Sequence, residues 1–308
     1  MIYNDELTHT FTRRKFLASA VVLAASIGPL RAATRPSTTT ISVDLHSHAF
    51  LSNSEMDRFS SSIGPDVSFL SGHHKMGSMP SLFKAVKENN ILIARNSADI
   101  FHAKSQGRRV AILAHEGGYL LKGNLSEIEK LNADGLISLQ LLRTDSTDIV
   151  SSDDNLTAFG KDVIRTQNRL GMIIDLAHCS AKTIKQAADV STKPIMLSHI
   201  NKPAKTAWKA VAESGGIIGN WWSYQDVKNG MTFTNWIGEF SRIVDAVGID
   251  AVGVQTELGV KKYRGPFDSY RDWHKIGEAL LENGFSPEET NKILGGNFMR
   301  MFTKITGT

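Results

Sequence analysis

Short apolar runs alternate with longer amphipathic segments along most of the chain. The short runs are typical of the buried strands of a parallel sheet, and the longer segments, with apolar residues three and four apart, are typical of helices that cover it. The predicted strands are 41–45, 110–114, 136–141, 172–176, 194–197, 216–219 and 251–254. The predicted helices are 91–106, 125–131, 157–170, 181–190, 204–214, 236–247, 270–283 and 287–294.

This alternation predicts repeated βαβ units and therefore an α/β protein. About eight such units fit a closed (β/α)8 barrel of the TIM type, which we expect to occupy residues 41–308 as one domain. An open, doubly wound sheet is the alternative, but no Gly-x-Gly-x-x-Gly follows an early strand to support it. Residues 49–80 are rich in Ser and Gly with little periodicity, and the pattern assigns no element to them.

The N-terminal residues have the pattern of an export signal. Thr12-Arg13-Arg14-Lys15-Phe16-Leu17 is a twin-arginine motif, and the apolar stretch 16–30 after it is too short to span a bilayer core. The run Arg31-Ala32-Ala33 offers small residues for cleavage near Ala32. We therefore predict a twin-arginine signal peptide at 1–32 and a polar linker at 33–40. We expect transient contact with the twin-arginine export machinery and a periplasmic or secreted location.

Composition narrows the class of protein only slightly. The chain has 308 residues, of which 41% are hydrophobic and 21% charged, an ordinary globular balance. A formal charge of +4 gives no indication of nucleic-acid binding. The single cysteine, Cys179, excludes an internal disulfide framework. The oligomeric state stays open, with a homodimer as one option.

Imidazoles and carboxylates stand at the ends of the predicted strands. In a barrel, all the C-terminal strand ends open on one face, where active sites are built. The residues there are His46, His48, Glu116, His178, His199 and Glu257. Each of them, taken alone, has an ordinary structural explanation, such as a helix cap, a hydrogen-bonded core histidine or a surface ion pair. Together they are the donor set of a two-metal hydrolytic site, in which a carboxylate such as Glu116 can bridge two ions.

Several longer motifs resemble the membrane (renal) dipeptidase family of zinc peptidases, within the amidohydrolase superfamily. They are Asp-Leu-His-Ser-His at 44–48, Glu-Gly-Gly at 116–118, Phe-Gly at 159–160, the run 168–180, Ser-His at 198–199 and the tail 293–302. The resemblance implies a metal-dependent hydrolase that cleaves the amide bond of dipeptides or related small amides with a metal-bridging hydroxide. It also implies two zinc ions per chain. His46, His48 and Glu116 would hold one ion, and Glu116, His178 and His199 the other.

The chain departs from the family pattern at several positions. The family usually has aspartate where this chain has His48, and its substrate-polarising histidine falls at Leu141. The Arg-Asn pair that would grip a substrate carboxylate is missing, and Arg143, Lys202 or Lys205 would have to supply that charge. Where the family has an Asp-rich run, this chain has Gln-Thr-Glu-Leu-Gly at 255–259, so Glu257 is the candidate proton shuttle.

Aromatic residues follow the strand predicted at 216–219. Trp221, Trp222 and Tyr224 are candidates for the wall of a substrate pocket, and packing at the barrel rim is the alternative. The altered recognition groups also leave two other functions open. One is a metal-binding barrel that acts on a lactone, an N-acyl amino acid or a D-amino acid amide. The other is a periplasmic ligand-binding protein without catalytic activity.

Overall fold

The computed structural model describes residues 40–51, 64–72, 78–143, 148–199, 205–220, 226, 228–259 and 267–308. The predicted signal peptide and all but the last residue of the predicted linker lie outside these ranges, so both stay predictions. Within the described ranges, no helix combines the length and the apolar character that crossing a membrane requires.

A parallel sheet forms the centre of the domain. Its strands are β1 Val43–Ser47, β2 Val67–Gly72, β3 Leu92–Ile93, β4 Val110–His115, β5 Leu136–Gln140, β6 Ile173–Asp175, β7 Ile195–Leu197, β8 Ile217–Asn220 and β9 Val252–Val254. Their spatial order is β1-β2-β4-β5-β6-β7-β8-β9, and β3 pairs with β4 off this path. Eight strands thus follow one another around the sheet, each parallel to the next.

The first and last strands meet just beyond the end of β9. The backbone N–H of Glu257 donates to the carbonyl oxygen of His46 at 3.1 Å, and the N–H of His48 donates to the carbonyl oxygen of Leu258 at 2.6 Å. These bonds nearly close the ring, and the predicted TIM-type barrel is confirmed. We call this contact between residues 46–48 and 256–258 the seam.

Ten α-helices are described around the sheet. They are α1 Met79–Glu88, α2 Ser97–Ser105, α3 Ser126–Ala133, α4 Ala158–Leu170, α5 Ala181–Val190, α6 Lys205–Glu213, α7 Phe233–Val247, α8 His274–Glu282, α9 Pro287–Asn291 and α10 Asn297–Thr306. Local sequence sets several of their ends. The side chain of Thr157 accepts from the N–H of Gly160, that of Ser180 accepts from the N–H of Thr183, and Gly171 ends α4 in the left-handed conformation.

The buried hydrophobic residues of the described chain form two clusters, and one of them, which takes residues from most of the strands, includes a well-defined aromatic contact. Phe298 of α10 meets Phe69 of β2 edge to face, with ring centroids 5.4 Å apart, and stacks on Phe302. The last helix therefore packs against the second strand of the barrel.

The structure differs from the predicted element pattern in three places. Strand β2 and helix α1 form where no element was predicted, since serines interrupt the apolar run of β2 although the whole strand is buried. The helix predicted from residue 91 begins at Ser97, because the side chains of Asn96 and Asp99 form a capping box there. The C-terminal helical segment continues past residue 294 through a π-helical turn into α10.

Candidate metal centre

The structure brings all six predicted strand-end residues together. His46 lies in β1 and His48 directly after Ser47, its last residue, and the others follow strands β4, β6, β7 and β9. The side chains are buried or nearly so, with exposed fractions from 1% for His48 to 15% for His178. The C-terminal end of the barrel thus carries a cluster of imidazoles and carboxylates, as the hydrophobic pattern predicted.

Two histidines and one carboxylate form the tightest group. The Nε2 atoms of His46 and His48 each lie 3.0 Å from the same oxygen, Oε1 of Glu116. Ligand atoms bound to one tetrahedral zinc ion at 2.0–2.1 Å are about 3.3 Å apart. The three side chains therefore have the spacing of ligands to a single ion.

The hydrogen bonding of this group also favours a cation. Among the described residues, Nε2 of His46, Oε1 of Glu116 and Oε2 of Glu257 are buried polar atoms that make no hydrogen bond. Buried polar atoms are nearly always paired, because leaving them unpaired away from water is costly. A bound metal ion would satisfy these atoms, so the donor set fits the metal that the sequence predicts.

Glu257 faces both histidines of β1. Its Oε2 lies 3.6 Å from Nε2 of His46, and its Oε1 lies 3.6 Å from Nε2 of His48. The carboxylate is thus next to the place where an ion would lie. This position suits either a ligand or a group that accepts a proton from water.

His178 and His199 form the other side of the cluster. Their Nε2 atoms are 3.0 Å apart, and Nε2 of His178 is 3.9 Å from Oε2 of Glu116. The ring of His199 also packs on that of His46, with centroids 4.5 Å apart. His46, His199 and Glu257 form a second set of atoms close enough to share an ion.

The metal-facing nitrogens are oriented by hydrogen bonds on the other side of each ring. Nδ1 of His48 lies 2.6 Å from the carbonyl oxygen of Ser71, and Nδ1 of His46 lies 3.2 Å from the hydroxyl of the same serine. Ser198 Oγ lies 3.0 Å from Nδ1 of His199. Such contacts fix the orientation of ligand rings. Sequence reasoning missed Ser71, because it lies in β2, where no element was predicted.

Two buried aspartates join neighbouring strands beside the cluster through hydrogen bonds, and sequence reasoning missed both. Asp44 accepts from the hydroxyls of Thr256 at 2.5 Å and Tyr270 at 2.7 Å, and so joins the two strands at the seam. Asp175 accepts from the N–H of Ser198 at 3.0 Å and joins β6 to β7. A carboxylate two or three positions before a candidate ligand is the signal that could have indicated both.

Electrostatics keep the two glutamates ionised. Burial acts to raise the pKa of Glu257, but His46 and a hydrogen bond with His48 outweigh it and lower the pKa to about 2. Burial also acts to raise the pKa of Glu116, and His46 and His48 hold it well below its usual value. The centre therefore presents two negative carboxylates to a cation.

The histidines divide into two kinds. Burial acts to lower the pKa of His48, yet its contacts with Glu116 and Glu257 raise it to about 10. Burial lowers the pKa of His178 and holds that of His199 well below its usual value. His178 and His199 are therefore neutral imidazoles at pH 7. At His48, a bound metal ion would take the place of the proton that the two carboxylates favour.

Backbone strain falls on the same residues. His178 and Glu257 are left-handed, with φ of 67° and 54°. Side-chain-bearing residues rarely adopt this conformation, and where they do it often marks a functional site. Two of the six strand-end residues therefore have an energetically unfavourable backbone conformation.

The substrate-recognition predictions are only partly covered by the described residues. Arg143 is described, and its Nε donates to Oε2 of Glu116. Leu141, at the position of the family's polarising histidine, packs in the hydrophobic core. The other candidates lie outside the described residues: Lys202, Trp221, Trp222 and Tyr224.

A comparison with protein families identifies one family. The family model described as "Membrane dipeptidase (Peptidase family M19)" matches residues 79–308. Dipeptidase tcpJ of Claviceps purpurea is 23% identical over 234 residues, which cover 69% of this chain and 55% of that protein. The chain spans about half the length of the curated relatives it matches.

Solved structures show the same fold. An amidohydrolase from Pseudomonas aeruginosa superposes with a TM-score of 0.75 at 18% identity, covering 88% of this chain and 98% of that one. A metallopeptidase from Rhodobacter sphaeroides, liganded with a phosphinate mimic of the dipeptide L-Ala-D-Ala, superposes with a TM-score of 0.72 at 15% identity, covering 86% and 99%. Since the family model matches well over half of the sequence, the chain belongs to the membrane dipeptidase family, peptidase family M19.

Proposed function

We propose that the protein is a metal-dependent hydrolase that cleaves the amide bond of dipeptides or related small amides. The observation that carries this proposal is the convergence of His46, His48 and Glu116, with two of their buried ligand atoms making no hydrogen bond. Family membership supports the reaction class. The dipeptide mimic bound to the Rhodobacter sphaeroides metallopeptidase supports the substrate class.

Zinc is the proposed metal, because two imidazoles and a carboxylate are the protein ligands of many catalytic zinc sites. Such an ion polarises a carbonyl and lowers the pKa of a bound water. His46 and His48 would hold it through Nε2, because Ser71 contacts both Nδ1 atoms. Glu116 would hold it through Oε1.

Glu257 is the proposed proton shuttle. Its carboxylate lies beside both histidines and is ionised at neutral pH, so it can accept a proton from water and pass it to the leaving nitrogen. His178 and His199, as neutral imidazoles beside Glu116, line the same space. They are positioned to contact the substrate or to bind a further ion.

The test is hydrolysis of a dipeptide panel that includes L-Ala-D-Ala, by zinc-loaded protein. We expect turnover by the wild type and a loss of about 100-fold or more in kcat for Glu257→Gln, in line with removal of a general base. Glu278→Gln, an exposed change on α8, is the matched control and should leave kcat unchanged. No turnover of any dipeptide, or full activity in Glu257→Gln, would refute the proposal.

A different substrate is the second candidate, and the burial of Leu141 in the core favours it. The side chain at this position offers no polar group to a substrate carbonyl, so recognition differs from that expected of the family. Lactones, N-acyl amino acids and D-amino acid amides therefore belong in the same panel. Turnover of one of these without turnover of dipeptides would assign the protein to that substrate instead. Tight binding without any turnover would favour a ligand-binding role.

A further inference from the structure

The carboxylate of Glu116 is contacted differently on its two oxygens. Oε1 lies 3.0 Å from each of the two β1 histidines. Oε2 accepts a hydrogen bond from Nε of Arg143 and lies 3.9 Å from Nε2 of His178. A centre with two ions bridged by Glu116 needs Oε2 for the second ion, and here a guanidinium group contacts that oxygen.

Arg143 is fixed in position beside Glu116. Its side chain is 18% exposed and that of Glu116 is 3% exposed, so the pair is largely shielded from water. Leu141, two positions before it, makes backbone hydrogen bonds to both neighbouring segments. The N–H of Leu141 donates to the carbonyl oxygen of Asp175 at 3.1 Å, and the carbonyl oxygen of Leu141 accepts from the N–H of Gly118 at 3.1 Å.

Gly117 makes the close approach of this arginine feasible. Its φ is 90°, and a Cβ built on it would lie 3.3 Å from Cβ of Arg143 and 2.9 Å from the ring of Tyr119. A larger residue directly after Glu116 would therefore displace the side chains beside it. The loop that carries Glu116 and the segment that carries Arg143 are shaped to fit each other.

The guanidinium group of Arg143 carries a positive charge. A divalent ion bound between His178, His199 and Oε2 of Glu116 would lie beside this positive charge in a shielded site, where like charges repel strongly. The guanidinium group already donates a hydrogen bond to Oε2 and neutralises its charge. A second ion is therefore not needed to balance Oε2, and Arg143 would repel it.

We propose that Arg143 takes the place of the second metal ion, so that this chain binds one ion through His46, His48 and Oε1 of Glu116. The proposal rests on the proposed function and narrows it to a mononuclear centre. His178 and His199 then face the substrate space and bind no metal ion. This arrangement departs from the two zinc ions that the family resemblance implies.

The test is zinc stoichiometry by elemental analysis and calorimetric titration, and it requires no activity. We expect the wild type to hold one ion per chain and Arg143→Met, which keeps the side-chain length but removes the charge, to hold two. The affinity for the second ion should rise about tenfold or more, the size of effect that a nearby charge has on an ionisable site. Arg143→Lys keeps the charge and should hold one ion.

Further variants test whether the effect of Arg143→Met on the metal count is specific to the site that contains His178. His178→Ala should leave the wild-type count at one and should return Arg143→Met from two ions to one. Arg165→Met, an exposed arginine paired with Asp162 on α4, is the matched control and should change nothing. Manganese loading gives a second readout, since electron paramagnetic resonance distinguishes an isolated ion in the wild type from a coupled pair in Arg143→Met.

Two tightly bound ions in the wild type, with one lost in His178→Ala, would overturn the proposal. A single ion in Arg143→Met would also overturn it. No stoichiometric ion in any variant would overturn both this proposal and the proposed function. A wild type with one ion that cleaves no dipeptide would refute the proposed function alone, because the count would still support the role of Arg143.

Discussion

Gly259 is the position where the closure of the barrel leaves least room for a side chain. Its φ is 97°, and a Cβ built on it would lie 2.1 Å from the carbonyl oxygen of His48, on the opposite side of the seam. Only glycine fits such a contact, because both the backbone conformation and the space exclude a side chain. The seam and the orientation of His48 therefore depend on one residue without a side chain.

We expect Gly259→Ala to lower the free energy of unfolding by about 3–5 kcal/mol. The alanine would adopt an unfavourable positive φ, and its Cβ would also clash with the backbone of His48. Gly230→Ala is the matched control, because Gly230 has a φ of 82° and nothing within 4 Å of a built Cβ. It should cost about 1–2 kcal/mol. Urea unfolding of the three proteins measures the difference, and equal costs in the two variants would contradict this account of the seam.

At the scale of elements, the seam joins the metal centre to the closure of the barrel. The N–H groups of His48 and Glu257 are two of its donors, and the side chains of the same two residues face the proposed ion. A ligand that binds only the native state stabilises whatever it holds together. The metal should therefore protect the seam more than the rest of the sheet.

We expect removal of the metal by a chelator to accelerate hydrogen exchange of the seam amides. Peptides from the interior of β4 should change little, because its pairing with β2 and β5 is independent of the ion. Exchange measured by mass spectrometry on metal-loaded and metal-free protein gives the comparison. Uniform acceleration across the sheet, or none at the seam, would show that the seam does not depend on the ion.

The same hydrophobic pattern predicted both the barrel and the candidate ligand residues. Strands such as β4 and β6 are nearly continuous apolar runs, and their ends are marked where the pattern turns to Glu116 and to His178. The hydrophobic pattern failed at β2, where Ser68 and Ser71 lie on a buried strand and interrupt the run. Strand β2 could be recognised only through its pairing with β1 and β4.

The supporting residues could not be predicted for a different reason. Asp44 acts through Thr256 and Tyr270, which are more than two hundred positions away, and Ser71 acts through two rings of another strand. Such contacts follow from the register between strands, which one sequence does not reveal. The contact of Arg143 with Glu116 was likewise missed, because the resemblance directed attention to the substrate carboxylate instead.

At the scale of the whole molecule, the twin-arginine motif makes a prediction about location. We propose that the protein is exported through the twin-arginine route to the periplasm, on the strength of Arg13-Arg14 and the short apolar stretch after them. Replacing both arginines by lysine keeps the charge and should retain the protein in the cytoplasm. Cell fractionation of the two forms, with Arg165→Lys as a control, is the measurement. Unchanged periplasmic recovery of the double variant would refute the proposal.

The seam also has a consequence for the order of events during biosynthesis. Asp44 and Thr256, which meet there, are 212 positions apart, and the metal-facing residues lie beside them. While the ribosome is still making the middle of the chain, His46 and His48 have no Glu257 to face. The centre is thus completed only after synthesis has passed Glu257. If export follows folding, as the twin-arginine route requires, the ion is inserted in the cytoplasm, and the metal that the protein carries reflects the ions available in that compartment.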